Sequence, residues 1–213
     1  MTVFVPYYQE DGIVIYCGDC RDILPTLEPV DLVLTDPPYG ISLDTSYSKY
    51  KNSISYNAIK NDEIPFNAFF LLQYGKKLII WGANCFANTL PNFPGWLAWI
   101  KIDRNGAKIR QSEMELAWTN FIARPQCFRW TWIGAYKEGQ EHCMVHPTQK
   151  PLPLMRWCLS FADGNVLDPF MGSGTTLVAA KHLGRKAIGI EIEEKYCEIA
   201  VKRLAQGVFS FES

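Results

Sequence analysis

The run VDLVLTDPPYG, Val30 to Gly40, constrains the fold more than any other stretch of the chain. Its first half is a short Val/Leu block of the kind found in strands buried on both faces, which is the environment of a parallel sheet. Proline has no backbone donor and fixes φ, so two in succession end a sheet ladder abruptly. The stop falls between an acid, Asp36, and an aromatic, Tyr39.

Similar blocks recur. GIVIYC (12–17), KKLIIWG (76–82), WLAWIKI (96–102), MELAWTN (114–120), GNVLDPF (164–170) and RKAIGIEI (185–192) read as further strands, seven in all with Val30–Thr35. Helical stretches lie among them: one or two turns in DCRDILPTL, then PFNAFFLLQYG, LPLMRWCLSFA, the segment after MGSGTT, and EEKYCEIAVKRLAQG. Strands alternating with helices predict an α/β fold with a mainly parallel sheet covered on both faces. The fourth and fifth strands flank one polar loop and are expected to pair antiparallel. Two long loops stand apart, 41–65 and 122–145, and loops of that length are usually functional or mobile.

The 213 residues suit a single domain over 1–213, and 48% hydrophobic with 20% charged residues is an ordinary globular composition. No apolar run approaches the roughly 18 residues of a membrane span, and MTVFVPYYQE lacks the pattern of a signal peptide, so the expected location is the cytoplasm. Seven scattered cysteines argue against a disulfide framework, and the lone CGDC pair lacks the second pair that a zinc site needs; no metal is expected. Net charge is −1, so overall charge nominates no nucleic-acid partner. Locally, six bases against three acids lie between Lys101 and Arg129, interleaved with Trp118, Phe121 and Phe128 and followed by Trp130 and Trp132. Such a segment suits phosphate contact with base stacking, and equally suits a solvated face over a Trp-rich core.

NVLDPFMGSGTT places Gly172 and Gly174 between a strand and a helix, where backbone amides approach a ligand closely. Glu191, at the end of the next strand, is placed to hydrogen-bond ribose hydroxyls, as acids do in nucleotide-binding half-folds. The third glycine of a dinucleotide fingerprint is absent, and no pyrophosphate site is evident. S-adenosylmethionine, with adenosine and ribose but no phosphate, fits better.

Four stretches together resemble a known family: TDPPYG (35–40), HPTQKP (146–151), DPFMGSGTT (168–176) and the acid of GIEI, Glu191, with GDCRDIL (18–24) as a weaker fifth. The chain is similar to the amino-methyltransferases of DNA, of the permuted order called the β group, in which DPPY precedes DPF-x-G-S-G. The resemblance implies a Rossmann-like, circularly permuted methyltransferase fold that begins at the third strand of the unpermuted order. It implies that Asp168, Phe170, Gly172, Ser173 and Gly174 line the S-adenosylmethionine pocket and that Glu191 holds the ribose. Asp19 would face the adenine amine, or simply cap the short helix after it. Thr148 and Lys150 would lie near the methionine end.

An exocyclic amine on a base is a poor nucleophile because its lone pair is delocalised, so the enzyme must place it in line with the methyl and favour its attacking state. In a chain of this family Asp36 would accept one hydrogen bond from the amine, a carbonyl of Pro37 or Pro38 would accept another, and Tyr39 would stack on the base once it is flipped from double-stranded DNA. DPPY in this family tends to accompany adenine N6. The rivals are cytosine N4 on the same scaffold, RNA as substrate, and a binding module for S-adenosylmethionine and DNA without activity. Family members usually carry a target-recognition region before HPTQKP, and here only about 25 residues fill that space, far fewer than a domain. Lys49, Lys51, Arg124, Arg129 and Trp130 are the candidate DNA contacts, with a second copy of the chain or a helper subunit as the source of further recognition.

Overall fold

The computed structural model of the protein describes residues 3–42, 60–101, 112–133, 136–138 and 149–206. In chain order the strands are β1 (Tyr8–Glu10), β2 (Ile13–Cys17), β3 (Val30–Thr35), β4 (Gly75–Trp81), β5 (Trp96–Ile100) and β6 (Met114–Thr119). They continue as β7 (Gln126–Arg129), β8 (Trp132–Ile133), β9 (Tyr136–Lys137), β10 (Val166–Asp168) and β11 (Ala187–Glu191). The helices are α1 (Cys20–Ile23), α2 (Leu152–Leu159), α3 (Thr175–His182) and α4 (Glu194–Ala205).

The main sheet runs β1-β2-β11-β10-β3-β4-β6-β5-β7. The seven strands expected from the apolar runs are the contiguous middle of this sheet, from β2 to β5. β5 and β6 pair antiparallel, as their shared loop predicts, and β6 is also antiparallel to β4. Two edge strands were not legible in the sequence. β1 folds back on β2 in three residues, and β7 adds parallel to β5. Both edge strands are largely exposed, so neither carries the apolar block that marks a buried strand. PFNAFFLLQYG forms a 3₁₀ helix, Ala68–Gln73, capped by the Asn67 side chain on the Phe69 amide, rather than an α-helix.

Each central strand feeds two cores. Leu32 and Leu34 pack with Ile79, Trp81, Leu97 and Trp99 against α2, α3 and α4 on one face. Val33, Leu78 and Ile80 pack with Ile23, Leu24, Phe66 and Leu71 on the other. That two-sided burial is why these strands read as unbroken apolar runs. Strand register decides where the chain's acids end up. Glu191 pairs with Cys17, Asp168 with Gly189, and Thr35 with Ile80, so the parallel strands all end along one edge of the sheet. At that edge β10 lies between β11 and β3, and in open α/β sheets ligands bind outside the carboxyl ends at such a place. No helix among the described residues is long and apolar enough to cross a membrane.

Candidate active site

A cavity opens at this edge. Its lining joins the turn after β10 (Asp168, Phe170, Met171, Gly172, Ser173), the end of β11 (Glu191 to Glu193), Asp19 after β2, and Asp36 to Tyr39 after β3. Two sequence motifs more than 120 residues apart therefore face one space.

The turn after β10 is held by acids. Glu191 is buried, and its two oxygens accept the amides of Gly172 (3.0 Å) and Glu193 (2.8 Å). Burial nevertheless pushes its carboxyl up to about 7, because two amides do not replace water around a charge. Asp168 is also buried, and one oxygen accepts the Thr35 hydroxyl (2.7 Å) and the Phe170 amide (3.2 Å). Burial raises it to about 6. Gly172 has φ +50°, and the left-handed turn aims its amide at Glu191. Ser173 is pinned by Arg203 of α4, which donates to its carbonyl (2.8 Å) and to its hydroxyl (3.0 Å). Phe170 lies edge-on to Phe66 at 5.5 Å.

Gly174 departs from its expected place. It is not among the residues lining the cavity, and a Cβ there would stand 2.7 Å from Ala200 Cβ. With φ +79° it starts α3 and lets that helix approach α4. Asp19 lines the cavity, and its carboxylate accepts the Arg21 amide at 2.8 Å as the cap of α1.

The DPPY turn is built by residues outside the motif. Asp62 is buried and one of its oxygens accepts the amides of both Tyr39 and Gly40, each at 2.9 Å. The Tyr39 ring lies over Gly82, where an added Cβ would be 1.9 Å from the ring, so only glycine admits it. The Tyr39 hydroxyl donates to Asp36 Oδ1 at 2.6 Å. Lys150 Nζ makes a short contact with the other Asp36 oxygen, lies 3.4 Å from the Tyr39 hydroxyl, and stands 3.1 Å from Glu115 Oε2. Lys101 donates to Glu115 Oε1 at 2.9 Å. Two ammonium groups and two carboxylates thus share one largely buried cluster.

Electrostatics differ across it. Burial raises Asp36 above the ordinary carboxylate range, Glu115 adds to that, and Lys150 offsets part of it. Burial also pushes Glu115 up, but Lys150 and Lys101 outweigh it and bring the carboxyl to about 2. Lys150 is held above its usual value: burial works against its charge, and the Asp36 and Glu115 carboxylates prevail. The Tyr39 phenol is pushed well up by burial and by Asp36.

The lining tests what ligand the cavity suits. Lys60 and Lys150 are its only cationic side chains among the described residues, and Lys150 is balanced by two acids. Asp19, Asp168 and Glu191 face the same space. A phosphate would find no clamp there, whereas hydroxyl donors, an amine and a positive centre match the acids.

Lys150 lies in the cavity, but its ammonium is taken by carboxylates at the Asp36 end. Arg124 and Arg129 are exposed beside and on β7 and do not line the cavity. Trp130 packs against the core, its ring 6.3 Å from Phe128. Trp118 and Trp132 are buried, so these aromatics serve the core rather than an open stacking surface. Lys49, Lys51 and Thr148 lie outside the described residues. Asp62, Gly82 and Glu115 were missed by the sequence reading. Glu115 alone left a signal, a charge inside the apolar run MELAWT; Asp62 sits in a polar loop 23 residues after Tyr39.

Comparison with known proteins bears on the same residues. A family model described as N6_N4_Mtase, DNA methylase, matches residues 101–202. The chain is 49% identical to the type II methyltransferase M2.LlaDCHI of Lactococcus lactis subsp. cremoris, across 95% of this chain and 93% of that one. It is 30% identical to the putative methylase YubD of Escherichia coli (strain K12), across 88% of each chain. Among solved structures, the M1.HpyAVI–SAM complex aligns with a TM-score of 0.58 at 26% identity, covering 90% of this chain and all of that one. The cytosine-N4-specific PvuII DNA methyltransferase shares the fold, with a TM-score of 0.64 at 16% identity over 96% of this chain and 90% of that one. Near-half identity across almost the full length of both chains, on a cavity that unites DPPY with DPF-x-G-S-G, places this protein in the DNA methylase family.

Proposed function

We infer that this protein transfers a methyl group from S-adenosylmethionine to the exocyclic N6 of adenine in double-stranded DNA. The observation that carries the reading is the single cavity holding Asp36 at one end and Glu191 at the other. S-adenosylmethionine, when bound, supplies an activated methyl on a sulfonium. The chain's own residues hold it and orient its acceptor. Glu191 receives the ribose hydroxyls, Asp168 and Phe170 line the middle, and Asp19 meets the adenine edge. Asp36 accepts a hydrogen bond from the target amine and favours its attacking state, while a carbonyl of the Pro37–Pro38 pair accepts the second. Tyr39, fixed over Gly82, offers its ring to a base flipped from the duplex.

The order of motifs is that of the β group. What supports it is the sheet, in which β10 and β11, last in the chain, insert between β2 and β3. Residues 122–145 with the 41–65 loop act as a short target-recognition segment, and a second copy or helper subunit supplies the rest. Arg124 and Arg129 contact phosphates. Cytosine N4 is the second reading, because an amine on either base presents the same chemistry to Asp36 and a cytosine-N4 enzyme shares the fold. The test is methyl transfer into unmodified duplex DNA by wild type and Asp36→Ala. Loss of at least a hundredfold in the variant, with cofactor binding retained, is expected; a variant as active as wild type would overturn the role of Asp36.

A further inference from the structure

The Lys150 ammonium is shared between two carboxylates that hold it unequally. Asp36 takes it in a short contact, and the other Asp36 oxygen is occupied by the Tyr39 hydroxyl. Glu115 Oε2 is 3.1 Å from the same ammonium, so a second anion is already within its reach. Lys150 and Lys101 keep this carboxylate ionised despite its burial. Glu115 is placed by backbone: it sits on β6 opposite Trp99 of β5, and Lys101 follows β5 directly.

Each Asp36 oxygen already accepts one donor, so an amine arriving there competes with Lys150 for the oxygen that the ammonium holds. As Lys150 loosens it needs another partner, and it is only 7% exposed, so water is a poor one. Releasing a buried ammonium without a second anion would cost several kcal/mol. Resting on the reading that Asp36 accepts the substrate amine, we propose that Glu115 is a positioning residue that takes over Lys150 as the amine reaches Asp36. The exchange is short and balanced in charge, because two ammonium groups and two carboxylates stay paired throughout. Lys101 keeps Glu115 ionised and in place from its far side. The charged and titratable groups facing Asp36 are Lys150, Tyr39, Glu115 and Asp168, and those facing Glu115 are Lys150, Lys101, Asp36, Tyr39 and Cys85.

The test is single-turnover methyl transfer into duplex DNA at saturating S-adenosylmethionine, followed as a rate–pH profile. Glu115→Gln is expected to slow transfer at least tenfold with cofactor affinity within twofold of wild type. Its acid limb moves to lower pH, because a negative charge near Asp36 is gone. Glu115→Asp, which keeps the charge, recovers part of the rate. Lys101→Met moves the acid limb the opposite way, to higher pH, and carries the test if Glu115→Gln does not fold. A Glu115→Gln rate within twofold of wild type would overturn the proposal. So would a rate that falls only with the folded fraction while the limb stays in place, or limbs that move the same way in both variants. An active Asp36→Ala would instead remove the reading beneath it, and that result is read in a separate variant.

Discussion

Glu191 makes the free protein more stable in mild acid than in mild base, and the size of the effect comes from its surroundings. Its carboxyl sits at about 7 in the folded chain against an ordinary 4.5, because burial outweighs the two amides it accepts. Between those values the folded chain holds a proton that the unfolded chain has lost. Stability therefore falls as pH rises through this window and levels off above the folded value. Integrating the linkage gives roughly 2–3 kcal/mol more stability at about pH 5 than at about pH 8 from this one group. Asp168, raised to about 6 from 3.8, adds roughly 1 kcal/mol in the same direction. His182, lowered by burial, works in the opposite direction, so the comparison that isolates Glu191 is wild type against Glu191→Gln. Urea unfolding followed by tryptophan fluorescence at both pH values is the assay. Wild type should gain distinctly more on acidification than the variant, by roughly 2–3 kcal/mol. Equal gains in the two proteins would refute the assignment. The same carboxyl predicts how ligand binds. Hydroxyl donors favour the ionised form, so binding of S-adenosylhomocysteine should release protons near neutral pH and tighten as pH rises through about 7. Calorimetry in buffers of different ionisation heat measures that release directly.

Four further outcomes rest on contacts around DPPY and β7. Asp62→Ala removes the acceptor of the Tyr39 and Gly40 amides and should cost about 3 kcal/mol in chemical unfolding, whereas Asp62→Asn, which keeps an acceptor oxygen, should cost less than half as much. Gly82→Ala meets both a positive φ of +70° and the Tyr39 ring, so steady-state methyl transfer should drop at least tenfold while circular dichroism stays that of a folded chain. Trp130→Ala should lose about 2–3 kcal/mol of stability through its core contacts. Arg129→Ala should leave stability within about 0.5 kcal/mol and instead reduce the salt dependence of DNA binding by about one phosphate contact.

The parallel core was legible because its strands are buried on both faces, which writes unbroken Val/Ile/Leu runs into the sequence. β1 and β7 were not, because an exposed edge strand needs no such run. Asp36, Tyr39 and Gly172 were legible through turn chemistry, the prolines and glycines where strands end, and Glu191 through its place at the end of an apolar strand. Gly174 carried the same signal for another reason, the approach of α3 to α4. The basic–aromatic segment held two meanings that only packing separates, and Trp118, Trp130 and Trp132 went to the core. Asp62 and Glu115 act through contacts distant in sequence, to Tyr39 and Gly40 in one case and to Lys150 in the other. Spacing along the chain holds no trace of such pairs, since tertiary folding alone creates them.

The most direct test is to incubate unmodified duplex DNA with the protein and S-adenosylmethionine, digest it to nucleosides and separate the products, with Asp36→Ala in parallel. N6-methyladenine from the wild type and none from the variant is the predicted result. N4-methylcytosine as the only product would contradict the assignment of adenine, and equal product from both proteins would contradict the chemistry assigned to Asp36.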